Sequence, residues 1–132
     1  MKYMLDTNVL VKLIREMPEN TRENLEKHTS NEVCVSSITV AELMHGAEKS
    51  KKPDENKVLI ALALSSFNIV DFNSNAAKEY GVIRSDLEKN GNLIGTMDML
   101  IAGHARSLDV TLITHNTKDF CRVKNLEIED WQ

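Results

Sequence analysis

A chain of 132 residues with 42% apolar content is long enough to take roughly two-thirds of its unfolded surface out of water, so residues 1–132 read as a single domain. Twenty acids against sixteen Lys and Arg give a net charge of -4, which excludes gripping nucleic acid by bulk charge and leaves only a local basic rim drawn from Lys12, Arg15, residues 49–52, Lys118, Arg122 and Lys124. The opening run Met1 to Asp6 meets an acid too early for a signal-peptide core, no apolar run nears the roughly 20 residues of a membrane span, and Cys34 and Cys121 form no Cys-x-x-Cys pair; a soluble, cytoplasmic protein with two buried cysteines and no zinc site is expected.

Lys2 to Leu5 reads as a short strand, and Val9, Leu10, Leu13, Ile14 and Met17 mark a helical stripe over Thr7–Met17 that Pro18 ends. A polar helix follows over Glu19–His28, then a strand over Val33–Ser36. Val40, Leu43, Met44 and Ala47 form the next helical stripe, closed by the Lys-rich loop and Pro53. Asp54 is placed to cap a helix whose run Val58 to Leu64 is apolar all round, which predicts burial in the core or at a subunit interface. Ile69-Val70 is a brief strand, and Ala76, Tyr80, Ile83 and Leu87 give a helix running to the Asn90-Gly91 stop. Beyond the loop 91–95, Met97, Leu100, Ile101, His104, Ala105 and Leu108 recur at amphipathic spacing. Val110–Thr114 is a strand, Thr117–Cys121 a short helix, and Leu126–Ile128 a final edge strand. The alternation predicts an α/β fold: a central parallel sheet of about four to five strands flanked by helices on both faces, with ligands at the carboxyl ends of its strands.

Four acids stand at or near helix starts: Asp6, Glu42, Asp98 and Asp119. Each has an ordinary explanation. Asp6 can cap the helix after it, Thr39 to Glu42 has capping-box spacing, Asp98 lies in a first turn where the macrodipole favours an acid, and Asn116 to Asp119 again resembles a cap. Strand-to-helix turns of a parallel sheet share one edge, however, so the four starts converge. Two carboxylates about 4 Å apart repel by about 4 kcal/mol at an effective dielectric of 20, and a divalent cation offsets that. The active-site reading therefore makes the acids holders of Mg²⁺ or Mn²⁺, which activates water and clamps phosphate oxygens. Thr7, Asn8, Ser37 and Asn116 are neutral polar neighbours able to orient the carboxylates. His104, on the apolar stripe, is expected to be a hydrogen-bonded core residue rather than a base, and His115, beside Asn116, is at most a secondary substrate contact.

The segments Asp6-Thr7-Asn8, Ser36 to Leu43, Ile94 to Ala105 and Thr114 to Phe120 together resemble PIN-domain proteins of the VapC type, in the same order and across nearly the whole chain. The resemblance implies a metal-dependent endoribonuclease toxin paired with a VapB antitoxin whose tail enters the active-site groove. Asp6, Glu42 and Asp98 match the family's central acids, Asp6 and Asp98 as metal ligands. The fourth position falls to Asp119 or to Asn116 beside it, with Asp119 the acid of the two; Lys12 and Arg15, from the basic rim rather than from the resemblance, are the candidate substrate contacts. Relatives commonly form homodimers, and some cut transfer RNA. Two positions depart from many relatives: Met97 stands where they have Asn, and Asn116 where they have Asp.

Two other classes fit parts of the pattern. In a non-catalytic binding module of the same fold the acids only cap helices, and Mg²⁺ would not change stability. An aspartyl-phosphate enzyme also places Asp after its first strand, but its hydrolase form needs a second Asp where Asn8 stands.

Overall fold

A computed structural model describes residues 1–28 and 30–132. Among the described residues it contains five strands and seven α-helices: β1 (Tyr3–Leu5), α1 (Thr7–Arg15), α2 (Glu19–Glu26), β2 (Val33–Ser36), α3 (Ser37–Glu48), α4 (Pro53–Leu64), β3 (Asn68–Val70), α5 (Ser74–Lys89), α6 (Thr96–Leu108), β4 (Thr111–Ile113), α7 (Thr117–Phe120) and β5 (Ile128–Glu129). All neighbouring strands pair in parallel, in the order β3-β2-β1-β4-β5. The first strand in sequence is thus the central one in space.

Alternation along β1 divides the core. Met4 faces Leu112, Ile83, Leu87, Met99 and Ile101 on the α5/α6 side, while Leu5 faces Val9, Leu10, Leu43, Ile60 and Ile113 on the α1/α3/α4 side. Helices cover both faces, as the pattern of elements implied. Register then fixes the site edge. Leu5 pairs with Ile113 and Asp6 N–H donates to Ile113 O at 2.9 Å, so Asp6 and Thr114 leave their strands side by side.

Several local expectations are corrected. The stripe of α1 ends at Arg15; Met17 has a positive φ of 46° and is exposed. β4 is shorter than expected, and β5 begins at Ile128 rather than Leu126. In α4 the N-cap is Lys52 with Pro53 in the first turn, so Asp54 serves the helix dipole rather than the cap. Val58 and Leu62 are 60% and 64% exposed, so the apolar run of α4 is not wholly in the core. In α6 the buried face is Met99, Ile101, Ala102, Gly103, His104 and Ala105, and Met97 is exposed, because α5 as well as the sheet packs against this helix. Gly103 makes that packing possible: a Cβ there would lie 2.8 Å from Tyr80 N. Cys34 is buried as expected, whereas Cys121 is exposed just beyond α7.

No helix among the described residues is long and apolar enough to cross a membrane.

Candidate active site

Asp6 is held on both carboxylate oxygens. Its Oδ1 accepts from Thr7 N–H at 2.7 Å, which is a true N-cap of α1, and its Oδ2 accepts from the Thr114 hydroxyl at 2.8 Å. The side chain is only 2% exposed. Burial pushes its carboxyl above the ordinary value against the two hydrogen bonds, and the charge of Glu42 adds to the rise.

Glu42 is not a capping residue. Helix α3 starts at Ser37 with Ser36 as its cap, whose hydroxyl accepts from Ile38 N–H at 3.1 Å, so Thr39 falls inside the helix and is buried. The Glu42 carboxylate instead accepts from the Thr7 hydroxyl at 2.7 Å, turned toward the start of α1 and half-buried there. The face of α3 that carries Glu42 is therefore the wall of a groove. Thr7, Arg15 and Glu42 line it together with Leu43, Leu59 and Ile60, and it encloses about 500 Å³. A separate apolar cavity of about 360 Å³, bounded by Leu10, Leu13, Leu25 and Phe67, contains none of the four acids.

Asp98 reaches the same edge by another route than a strand-to-helix turn, since α6 follows α5. Two residues separate α6 from β4, so a helix laid back along that strand begins near its carboxyl end. Gly95 is the N-cap and contributes no side-chain cap bond, and Asp98 lies in the first turn. The helix dipole favours the ionised form there, yet the carboxyl is raised to about 6, first by burial and then by the charges of Asp6, Glu42 and Asp119. Desolvation and like charge outweigh the dipole. That single carboxyl feels acids carried by three other elements, which is the convergence inferred from the sheet edge.

Asp119, in α7, accepts from Asn116 Nδ2 at 3.1 Å and lies 3.8 Å from Arg122 Nη2. Asn116 occupies the N-cap position without making a side-chain cap bond; its amide serves Asp119 instead. Only Asp6 among the four acids caps a helix through a hydrogen bond.

The neutral neighbours divide. Thr7 and Asn116 each bind one of the acids. The Ser37 hydroxyl accepts from Phe72 N–H at 3.0 Å, tying down the loop after β3 rather than a carboxylate. Asn8 is exposed and, among the described residues, binds none of the acids. Of the two basic residues on α1, Arg15 lines the groove with Glu42, whereas the charge of Lys12 reaches Asp130. His104 is fully buried with Nδ1 2.7 Å from Ser36 Oγ, but its Nε2 has no partner among the described residues, and burial lowers its pKa, keeping the ring neutral. His115 Nδ1 lies 2.8 Å from Asp130 Oδ1.

Sequence reasoning gave no role to Thr114 and treated Thr39 only as a cap. A hydroxyl at the carboxyl end of the strand beside β1 was the available signal for Thr114, and it needed the register to be read.

Among the described residues no three acidic, histidine or cysteine side chains stand close enough to form a ready-made metal cage. The donors nonetheless suit a hard cation. They are all carboxylate oxygens, their mutual repulsion is what a dication relieves, and Mg²⁺ commonly takes one or two carboxylates while keeping its waters.

The PIN domain family model matches residues 3–126. The chain is 40% identical over 131 residues to a tRNA(fMet)-specific endonuclease VapC of Shigella flexneri, covering 99% of this chain and 98% of that one. It belongs to the PIN-domain family of VapC ribonucleases. A second relative, ribonuclease VapC2 of Rickettsia felis, is 42% identical to this VapC-family chain over 132 residues, with 99% and 98% of the two chains covered. In three dimensions the VapC-family chain is similar to one in the crystal structure of DNA-bound VapBC from Salmonella typhimurium, with a TM-score of 0.96, 39% identity and coverage of 100% and 99%. The five-stranded parallel sheet is thus the family's fold.

Proposed function

We propose that residues 1–132 form one PIN domain acting as a metal-dependent endoribonuclease toxin, with Asp6, Glu42, Asp98 and Asp119 as the catalytic acids and Asp6 and Asp98 as the metal ligands. The observation that carries this reading is that Thr7 joins two of the acids, its N–H on Asp6 and its hydroxyl on Glu42, at the edge where the charges of Asp6, Glu42 and Asp119 also bear on Asp98. Helix capping gives no reason to gather charge in this way. The relatives' names supply the reaction class, and the Shigella flexneri relative supplies transfer RNA as the substrate class.

When bound there, Mg²⁺ or Mn²⁺ supplies activation of water and neutralisation of charge on the phosphate. The chain's own residues do the positioning. Thr7 N–H and the Thr114 hydroxyl fix both oxygens of Asp6, and the Thr7 hydroxyl orients Glu42, so neither carboxylate has to reorganise when substrate arrives. Asn116 holds Asp119 in the same manner. Arg15 offers a cation beside Glu42 for a phosphate, with Lys12 one turn earlier on α1.

A VapB-type antitoxin is the expected partner, its segment entering the groove beside Glu42; VapBC complexes of relatives have been crystallised with DNA. Val58, Leu59 and Leu62 on α4 suit contact with a second copy in a homodimer. A cytoplasmic location accompanies this role. The test is to incubate the purified, antitoxin-free chain with total cellular RNA and Mg²⁺ and map the cut ends. Cleavage is expected to vanish in EDTA and in a folded Asp6→Asn variant, and undiminished cutting by that variant would refute the assignment.

A further inference from the structure

RNA brings one negative charge per nucleotide to an edge that already gathers four carboxylates, on a chain of net charge -4. A cation must meet the backbone close to those acids. Arg122, just beyond α7, is built into that position. Its Nη1 donates to Leu93 O at 3.2 Å, in the loop that leads into α6 and Asp98, and its Nη2 lies 3.8 Å from Asp119 Oδ1. The guanidinium thus spans the segments that carry the third and fourth acids. Its side chain is 32% exposed, so part of the fork still faces water.

Resting on the endoribonuclease reading above, we propose that Arg122 is a substrate-binding residue that clamps a backbone phosphate of the RNA at the Asp98/Asp119 side of the site. Guanidinium suits this task better than ammonium. It is planar, always charged, and presents five donors in a fixed fork, of which the contacts to Leu93 and Asp119 occupy only some. Because those contacts bias its direction before RNA arrives, somewhat less side-chain entropy is lost on binding than for a free surface lysine. Asp119 acquires a second task. With Oδ2 taking Asn116 and Oδ1 facing Arg122, it aims a cation as well as adding negative charge. Arg15 lies on α1 in the groove beside Glu42, so the two arginines would serve different acids of the site.

The experiment measures binding and cutting separately. A labelled single-stranded RNA oligonucleotide is titrated in EDTA, where no cleavage occurs, with wild type, Arg122→Gln and Arg122→Lys over a range of salt, and melting curves verify folding. Arg122→Gln is expected to bind about tenfold more weakly at low salt and to lose about 0.7 from the slope of log K against log salt, the share of one phosphate on a single strand. Arg122→Lys should recover most of the slope and only part of the affinity, a split that a purely structural role would not produce. Equal affinity and slope in wild type and Arg122→Gln would overturn the proposal, as would a wild type that does not bind the oligonucleotide. A wild type that binds with the full slope but cuts no RNA in Mg²⁺ would instead defeat the nuclease reading and leave the phosphate clamp standing.

Discussion

The Thr7 hydroxyl lies 2.7 Å from Glu42 Oε1 and 3.0 Å from Thr39 Oγ1. An ionised carboxylate only accepts, so the single proton of Thr7 goes to Glu42 and the Thr39 hydroxyl must donate to Thr7. One threonine at the mouth of α1 thereby sets where a glutamate on α3 points. Thr7→Val keeps the shape and removes the donor. It is expected to lower kcat by about 10- to 100-fold, as the proposed catalytic role of Glu42 requires of a residue that orients its carboxylate, while Thr7→Ser retains most activity. Steady-state cleavage kinetics on an RNA that the wild type cuts would check this.

Asp6 serves a helix and a site at once, and two substitutions separate the roles. Asp6→Asn keeps an oxygen for Thr7 N–H, so the cap survives while the charge is lost. The variant should fold and melt at a temperature that no longer rises on adding Mg²⁺. Asp6→Ala loses the cap as well, at about 1 kcal/mol, and strands the buried Thr114 hydroxyl at roughly 1–3 kcal/mol more. Thermal melts with and without Mg²⁺ distinguish the two; equal Mg²⁺ responses in wild type and Asp6→Asn would contradict the metal role.

The raised carboxyls make a pH prediction with a definite sign. Asp98 moves from 3.8 to about 6, so the folded chain prefers its protonated form; that contribution to stability is complete below about 3.8 and is lost as pH rises through about 6. Asp6 is shifted in the same direction. Without metal, the wild type should therefore lose stability relative to Asp98→Asn between about pH 4 and 6. Added Mg²⁺ should restore it above that window. Cleavage should rise with pH across the same range, since the ionised carboxylates are the active form. Parallel melting temperatures for wild type and Asp98→Asn across this window would contradict the account.

Two glycines on the α5/α6 pair are expected to respond oppositely to alanine. A Cβ at Gly103 would meet Tyr80 N at 2.8 Å and Tyr80 Cα at 3.0 Å, backbone atoms that cannot step aside. Gly103→Ala should cost about 1–3 kcal/mol through overpacking. At Gly81, inside α5, a Cβ meets nothing within 4 Å, so Gly81→Ala should add about 0.5–1 kcal/mol by helix propensity. Urea denaturation of both variants measures the contrast.

Much of the architecture is written in the periodicity. Apolar runs and helical stripes, weaker in the polar α2 and the more exposed edge strands β3 and β5, locate the central strands and most α-helices within a few residues, because burial of β1, β2 and β4 between two helical layers leaves a strong local trace. The acids were visible as a set for the same reason. What the chain hides is whatever depends on contacts between distant residues. Glu42 looks solvent-facing on its own helix, and only the approach of Thr7 turns that face inward. Asp98 reaches the shared edge through a helix laid against α5, not through a strand of its own. Ser37 and Asn116 are equally ordinary turn residues in sequence, yet one secures Phe72 and the other Asp119. Exposed Val58 and Leu62 show the converse: an apolar run in sequence does not by itself say which of its residues the fold buries.

Placing the first strand at the centre of the sheet also bears on when the protein becomes active. Asp6 is made early, but the hydroxyl that fixes its second oxygen comes from Thr114, 108 residues later, and the strand that carries it must dock beside β1. Contacts of such long sequence separation form slowly and late, since loop closure precedes any gain from pairing. A fragment that stops short of β4 has Glu42 beside Thr7 but leaves the second oxygen of Asp6 without its Thr114 partner. The order of strands therefore makes completion of the Asp6 pocket one of the last steps of folding, reached only when the chain is almost fully threaded.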